Sequence, residues 1–246
     1  MKIMKKAKKD SVYQKEQQFL SVLSRDMPFA YVEAFKTLRT NLDFVASDDG
    51  IKSILVTSAL PDEGKSTVAI NLAATLAAGG NTVMLVECDL RKPAIRRYLK
   101  VGRGQKGLSA ILTANANVDE CIVNVDNLGF HMIHAGTIPP NPSELLKKDQ
   151  MKKLIETLKE RYDYVILDAP PVGVVADAMV AGRVADGALL VVRSRFAQAR
   201  VVRMAKQRLQ SINIRLMGVV LNHFDEKRFG WRSAYQYSSY EYIDEK

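Results

Sequence analysis

The sequence predicts an α/β protein built on a doubly wound, mostly parallel sheet with helices on both faces. Three observations carry that reading. Short apolar runs recur at 54–56, 83–86, 165–167, 188–192 and 216–221, and segments of helical length separate several of them. Runs that are apolar almost throughout are what strands covered on both faces require, and alternation with helices places them parallel in one sheet. The third observation is the stretch Ser58-Ala59-Leu60-Pro61-Asp62-Glu63-Gly64-Lys65-Ser66-Thr67, which follows Ile54-Leu55-Val56 and precedes a helix-like segment, Val68 to Ala78. Strand, tight loop and helix in that order form the context of a phosphate-binding P-loop.

Backbone N–H groups of such a loop cradle phosphate oxygens, and the following helix adds the positive end of its dipole. Gly64 lets the backbone approach an anion closely, Lys65 can reach terminal phosphates, and the Ser66 hydroxyl can bind magnesium. The candidate nucleotide-binding set is therefore Ala59, Asp62, Glu63, Gly64, Lys65, Ser66 and Thr67, in a fold of the P-loop NTPase class. Ala59 stands where the motif G-x-x-x-x-G-K-[ST] has its first glycine, and a small residue suffices there.

A chain of 246 residues with 47% hydrophobic residues fits one large domain plus appendages. The expected divisions are a basic arm at 1–27, a catalytic domain at 28–224 that begins with a helix over 28–46, and a flexible tyrosine-rich tail at 225–246. No apolar stretch approaches the roughly eighteen residues of a membrane span. The basic N-terminus has no apolar signal core behind it, and the two cysteines, Cys88 and Cys121, lack metal spacing. A cytoplasmic chain with reduced thiols is the simple reading.

The net charge of +9 falls in three blocks: the arm, residues 91–106, and residues 193–215, where no acid stands between Asp186 and Asp225. Such fields attract phosphates, anionic lipid, acidic protein tails or nucleic acid; the bland alternative is a solvated helix face. Aromatic residues do not interleave with these blocks, so no nucleic-acid partner is expected.

In chain order, Glu33, Lys36 and Arg39 recur every three residues along one side of the first helix, as a solvated ion-paired stripe or as a subunit contact. A strand over 82–88 delivers Glu87, Asp89 and Arg91 at its C-terminal end, where ligands sit in open α/β sheets. The excursion at 93–125 is expected to cover that edge with short helices, and 130–133 to form a further strand. Ser143 is expected to cap one helix running to about Arg161, while His131 and His134 have no acidic or thiol partner nearby in sequence and read as structural or surface residues rather than catalytic ones. Asp168 ends the strand 164–168, and an acid after an apolar run downstream of a P-loop fits a magnesium-holding group. Asp177 and Asp186 read as turn residues, the runs at 188–192 and 216–221 as buried strands, and 198–211 as a basic helix. Tyr235, Tyr237, Tyr240 and Tyr242 then crowd into eight residues, as an edge strand or a solvated tail suited to entering another molecule's active site.

These residues together resemble the bacterial tyrosine kinases, the cytoplasmic catalytic partners of polysaccharide chain-length and export regulators in Gram-positive bacteria. The resemblance runs from about residue 29 to the end. It rests on Glu33-Ala34-Phe35-Lys36-Thr37-Leu38-Arg39, the Pro61 to Ser66 loop, Glu87-Cys88-Asp89-Leu90-Arg91-Lys92-Pro93, Pro140 to Leu146, Leu167-Asp168-Ala169-Pro170-Pro171 and the tyrosine tail. Two positions depart from the family pattern: Glu87 stands where Asp is usual, and Lys36 where the contact motif usually has Arg.

The resemblance implies ATP- and Mg2+-dependent autophosphorylation of Tyr235, Tyr237, Tyr240 and Tyr242 between subunits of a ring held through Glu33, Lys36 and Arg39. It implies catalytic roles for Lys65, Glu87, Asp89, Arg91 and Asp168, magnesium held by Ser66, Asp168 and Glu87, and a base that is Glu87 or Asp89. It also implies activation at the inner face of the cell membrane by an adaptor's cytoplasmic tail, reversal by a cognate tyrosine phosphatase, and control of capsular or exopolysaccharide polymerisation and export. The competing expectations are a partition- or septum-placement ATPase of the same fold and a nucleotide-sensing scaffold of a polysaccharide exporter. The ATPases carry a lysine at the position of Leu60, which favours the kinase.

Overall fold

A computed structural model describes residues 27–47, 50–99 and 106–224; nearly all of the N-terminal arm and the whole tyrosine tail lie outside the described residues. In chain order the elements are α1 (Phe29–Ser47), β1 (Ser53–Ser58), α2 (Lys65–Ala78), β2 (Val83–Glu87), the short helices α3 (Ile95–Tyr98) and α4 (Leu108–Leu112), and a 3-10 turn at Asp119–Cys121. Then come β3 (Val123–Val125), β4 (Phe130–Ile133), α5 (Pro142–Leu146), α6 (Asp149–Arg161), β5 (Tyr164–Asp168), α7 (Asp177–Gly182), β6 (Gly187–Arg193), α8 (Ala199–Ser211) and β7 (Arg215–Asn222).

The strands form one sheet in the order β3-β4-β2-β5-β1-β6-β7. Among these pairs only β3–β4 is antiparallel. Every residue of β1 and β2 is buried, as central strands covered on both faces must be. Side chains alternate between two cores. Ile54 and Val56 face a layer with Leu42 of α1 and Val68, Leu72 and Leu76 of α2. Leu55 faces the layer of Leu108, Leu154, Leu158 and Leu209. Burial of each such aliphatic side chain contributes about 1.5–3 kcal/mol. Helix α2 is buried along most of its length because α1 covers its outer side.

The parallel order places the C-terminal ends of β4, β2, β5 and β1 side by side. Registers of Glu87 with Asp168 and of Val56 with Asp168 bring the phosphate loop, Asp168 and Glu87 to one edge.

Four expectations need correction. The excursion at 93–125 contains a strand, β3, as well as helices; its three residues are too few to show a period. The helix expected from Ser143 to Arg161 is two, interrupted at Lys147 and Lys148. Ser143 makes no capping hydrogen bond, because its hydroxyl donates to Asp177. Strand β7 is not buried: it lies at the sheet edge, with Val219 and Leu221 56% and 51% exposed.

Candidate active site at the C-terminal edge of the sheet

The loop between β1 and α2 is held from several sides. Gly64 has φ +89°, a left-handed conformation that glycine takes without the steric penalty other residues incur. Ala59 is fully buried and is not among the residues with positive φ, so this position needs no glycine. Instead the glycine is opposite: a Cβ on Gly173 would lie 2.1 Å from the Ala59 carbonyl oxygen. Glu63 is buried and acts as a strut, its carboxylate accepting from Leu60 N at 2.6 Å and from Arg193 N at 3.3 Å. Arg193 donates to the Asp62 carbonyl, and Asn222 Nδ2 donates to the Glu63 carbonyl at 2.8 Å. The Thr67 carbonyl accepts from Asn71 within α2.

Lys65 reaches across the edge. Its Nζ lies 3.2 Å from Asp89 Oδ2 and 3.6 Å from Asp168 Oδ1, and donates to Ser66 Oγ at 3.1 Å. Ser66 Oγ in turn donates to Asp168 Oδ2 at 2.7 Å. Asp168 Oδ1 is buried and accepts no hydrogen bond. Burial raises the Asp168 pKa, and Lys65 and Ser66 only partly oppose it. Burial pulls the Lys65 pKa down, but Asp168 and Asp89 more than reverse it, so the ammonium stays charged.

The two candidate bases differ. Glu87 is fully buried; its Oε1 accepts from Ala94 N at 2.6 Å and Ile95 N at 2.7 Å, and its Oε2 from Ala135 N at 3.0 Å. Its carboxylate ties α3 and the segment after β4 to the end of β2. Asp89 accepts one backbone bond, from Lys92 N at 3.0 Å, and turns its other oxygen to Lys65. Arg91 is clamped to Asp177 through Nε at 2.6 Å and Nη2 at 3.1 Å, and Nη2 also donates to Ser143. Asp177, read as a turn residue, is a fully buried carboxylate, and Asp186 likewise anchors Lys52 N, Ser53 N and Lys159.

The oxygen set of Ser66 and Asp168 beside a phosphate loop, with one carboxylate oxygen lacking a donor, fits a hard cation such as magnesium. Among the described residues no three His, Cys, Asp or Glu side chains gather as a metal cage. Magnesium needs none, since it keeps waters and takes one or two protein carboxylates together with substrate phosphates.

The early helix does not present an open triplet. Glu33 and Lys36 pair with each other at 2.7 Å, while Arg39 Nη1 donates to the Thr75 carbonyl at the end of α2. Tyr235, Tyr237, Tyr240 and Tyr242 lie outside the described residues. Among the described residues no helix is long and apolar enough to cross a membrane.

Comparison with known proteins decides the family. A family profile described as "AAA domain" matches residues 52–215. The chain is 37% identical over 205 residues to tyrosine-protein kinase YwqD of Bacillus subtilis, covering 83% of this chain and 85% of that protein. The chain belongs to the bacterial tyrosine kinase family. The kinase also matches tyrosine-protein kinase etk of Escherichia coli at 37% identity, spanning 78% of this chain but only 26% of that longer protein. The solved kinase domain of Escherichia coli ETK superposes with a TM-score of 0.75 at 35% identity, covering 81% of each chain. The septum site-determining protein MinD of Pyrococcus horikoshii superposes at 0.62 with 21% identity over 79% of this chain and 78% of its own, which shows a shared P-loop fold and nothing of function.

The sequence reading missed Gly173 and Asn222, and it took Ser143, Asp177 and Arg193 for a helix cap, a turn residue and the start of a basic block. Asn222 carried a usable signal: like Asp168, it is a polar residue directly after an apolar strand. Arg193 and Asp177 act through partners far away in sequence, which no local pattern reveals.

Proposed function

We propose that this tyrosine kinase transfers the γ-phosphoryl group of ATP, with magnesium, to the tyrosines of its own C-terminal tail, presented by a neighbouring subunit. One observation carries the assignment of roles: Asp89 stands 3.2 Å from Lys65 with a carboxylate oxygen free of backbone donors, whereas Glu87 spends both oxygens on three amides. Asp89 is the base that takes the tyrosine hydroxyl proton, and Glu87 positions the surrounding loops.

Ser66 and Asp168 would hold magnesium, which would neutralise charge on the β- and γ-phosphate oxygens. Lys65 leaves Asp89 and Asp168 to meet the terminal phosphates, so the same movement that engages nucleotide frees Asp89 as a base. Loop amides from Ala59 to Thr67 cradle the phosphates. Arg91, fixed by Asp177 and Ser143, holds the segment 89–93 in place. The family resemblance supports the rest of the reading. It comprises ring assembly with Glu33, Lys36 and Arg39, activation by a membrane adaptor's cytoplasmic tail, reversal by a phosphatase, and control of polysaccharide polymerisation and export.

A mixing experiment tests this. A Lys65→Met chain, which keeps its tyrosines, is combined with an active chain whose four tail tyrosines are Phe, and ATP and magnesium are added. Phosphotyrosine should appear on the Lys65→Met chain and on neither protein alone. Signal on the Lys65→Met chain alone would overturn the site assignment.

A further inference from the structure

His134 follows β4 at the same edge of the sheet as the phosphate loop, one strand beyond Glu87. The imidazole is 1% exposed. Its Nδ1 accepts from Gly136 N at 3.0 Å, so the neutral ring carries its proton on Nε2. Nε2 has no hydrogen-bond partner. A buried donor without an acceptor costs about 1–3 kcal/mol, and native proteins carry few of them.

Beside it stands Arg96. The carboxylate of Glu87 fixes the two together, because it accepts from Ala94 N and Ile95 N at the start of α3 and from Ala135 N after β4. Residues 96 and 134 therefore flank the backbone groups that converge on one carboxylate. Arg96 is half-buried and makes no ion pair among the described residues, whereas Arg91 and Lys106, in the same basic block, are paired with Asp177 and Glu120. The guanidinium is close enough to hold the His134 pKa down, in addition to the larger effect of burial. Glu87 lies between them with both oxygens taken by backbone amides. The result is a buried N–H donor next to a cation that has no ion pair among the described residues, which is the composition of an anion-recognition point.

Its place on the edge says which anion. From β1 outward the edge presents the phosphate loop, Asp168 on β5, Asp89 after β2, and then His134 after β4. Nucleotide phosphates occupy the β1 end. The end of β4 stands about one strand spacing of 4.8 Å beyond the end of β2, within reach of a residue next to an acceptor tyrosine at Asp89. The tail of this chain carries acids among its tyrosines: Glu241 between Tyr240 and Tyr242, then Asp244 and Glu245. We propose that Arg96 and the Nε2–H of His134 bind a carboxylate adjacent to the acceptor tyrosine, making this kinase selective for acidic tyrosine peptides. This inference rests on the proposed kinase reading and names its substrate class.

The test uses the full chain with its four tail tyrosines changed to Phe, and two acceptor peptides spanning residues 234–246. One has the native acids; the other carries the neutral substitutions Glu241→Gln, Asp244→Asn and Glu245→Gln. Arg96→Gln should raise KM for the acidic peptide about tenfold, the typical worth of one charge-assisted hydrogen bond. It should leave kcat and KM for ATP within twofold, and leave the neutral peptide unaffected. His134→Leu should act in the same direction; because it alters the core, the charge swap decides. Arg96→Glu should recover KM on a peptide carrying Glu241→Lys. Equal KM for the two peptides with the parent enzyme, or an Arg96→Gln defect that appears in KM for ATP instead, would overturn the inference while the kinase reading stands. Failure of the parent to phosphorylate either peptide would count against the kinase reading itself.

Discussion

On the proposed reading, Glu87 is essential without touching the reaction. Three backbone N–H groups depend on its carboxylate, so Glu87→Ala strands three donors at about 1–3 kcal/mol each when buried. That variant should unfold at far lower denaturant concentration and lose activity with its structure. Asp89→Asn, by contrast, should melt near the parent temperature and yield no phosphotyrosine. The reverse pattern would return the base to Glu87. A pH measurement adds an independent check. Burial, outweighing the amide bonds, holds the Glu87 pKa above its ordinary 4.5. A carboxyl raised on folding contributes stability that is complete below the unfolded value and is lost as pH rises through the folded one. The stability difference between Glu87→Gln and the parent should therefore shift in favour of Gln on titration upward from pH 4.5, as followed by urea unfolding.

Among the elements, the phosphate loop is braced by strands it does not adjoin in sequence. A Cβ on Gly64 would meet Asn222 Nδ2 at 2.1 Å, and the left-handed conformation adds about 1–2 kcal/mol of strain for any other residue. Gly64→Ala should abolish nucleotide retention. The double variant Gly64→Ala with Asn222→Ala removes the clash but not the strain, so calorimetric titration with ATP and magnesium should show weak binding, between the single variant and the parent. Recovery of full affinity would mean that φ at Gly64 does not matter. This bracing also marks what was legible beforehand. The loop, Asp168, Asp89 and the central strands announce themselves by a motif or an apolar run. Asp177, Arg193 and Gly173 do not, because their meaning lies in Arg91, Glu63 and Ala59, residues 86, 130 and 114 positions away. Strand β7 was misjudged for the same reason: an apolar run does not reveal whether a further strand lies beside it.

For the whole molecule, the question is how the proposed ring would answer to phosphorylation of the tail. Arg39 is engaged by Thr75 and Lys36 by Glu33, so any ring contact through this helix must exchange or share these bonds. Each tail phosphate adds about −1.5 to −2 charges, and four add roughly six to eight. Such a tail is repelled by Asp89 and Asp168 and by other phosphorylated tails. Light scattering on the parent should therefore record a fall in mass after ATP and magnesium, absent from the variant with four Phe residues. A parent that stays monomeric throughout would remove the ring and leave Lys36 as the first residue to examine.

The position of β1 in the sheet also governs when the protein can fold. Ser53 pairs with Val165 and Ile54 with Gly187, so the strand that feeds the phosphate loop finds both neighbours more than 110 residues later. Closing such distant pairs slows folding, because chain entropy is lost before contacts repay it. At 5–20 residues per second, synthesis leaves β1 without a strand neighbour for roughly 6–22 seconds. A nascent chain in that interval has Ile54, Leu55 and Val56 with no strand on either side, which should make it a client for chaperones rather than a partly built enzyme. A fragment ending at Arg161 retains the complete phosphate loop in sequence, yet it should show no cooperative thermal transition and should not hold nucleotide.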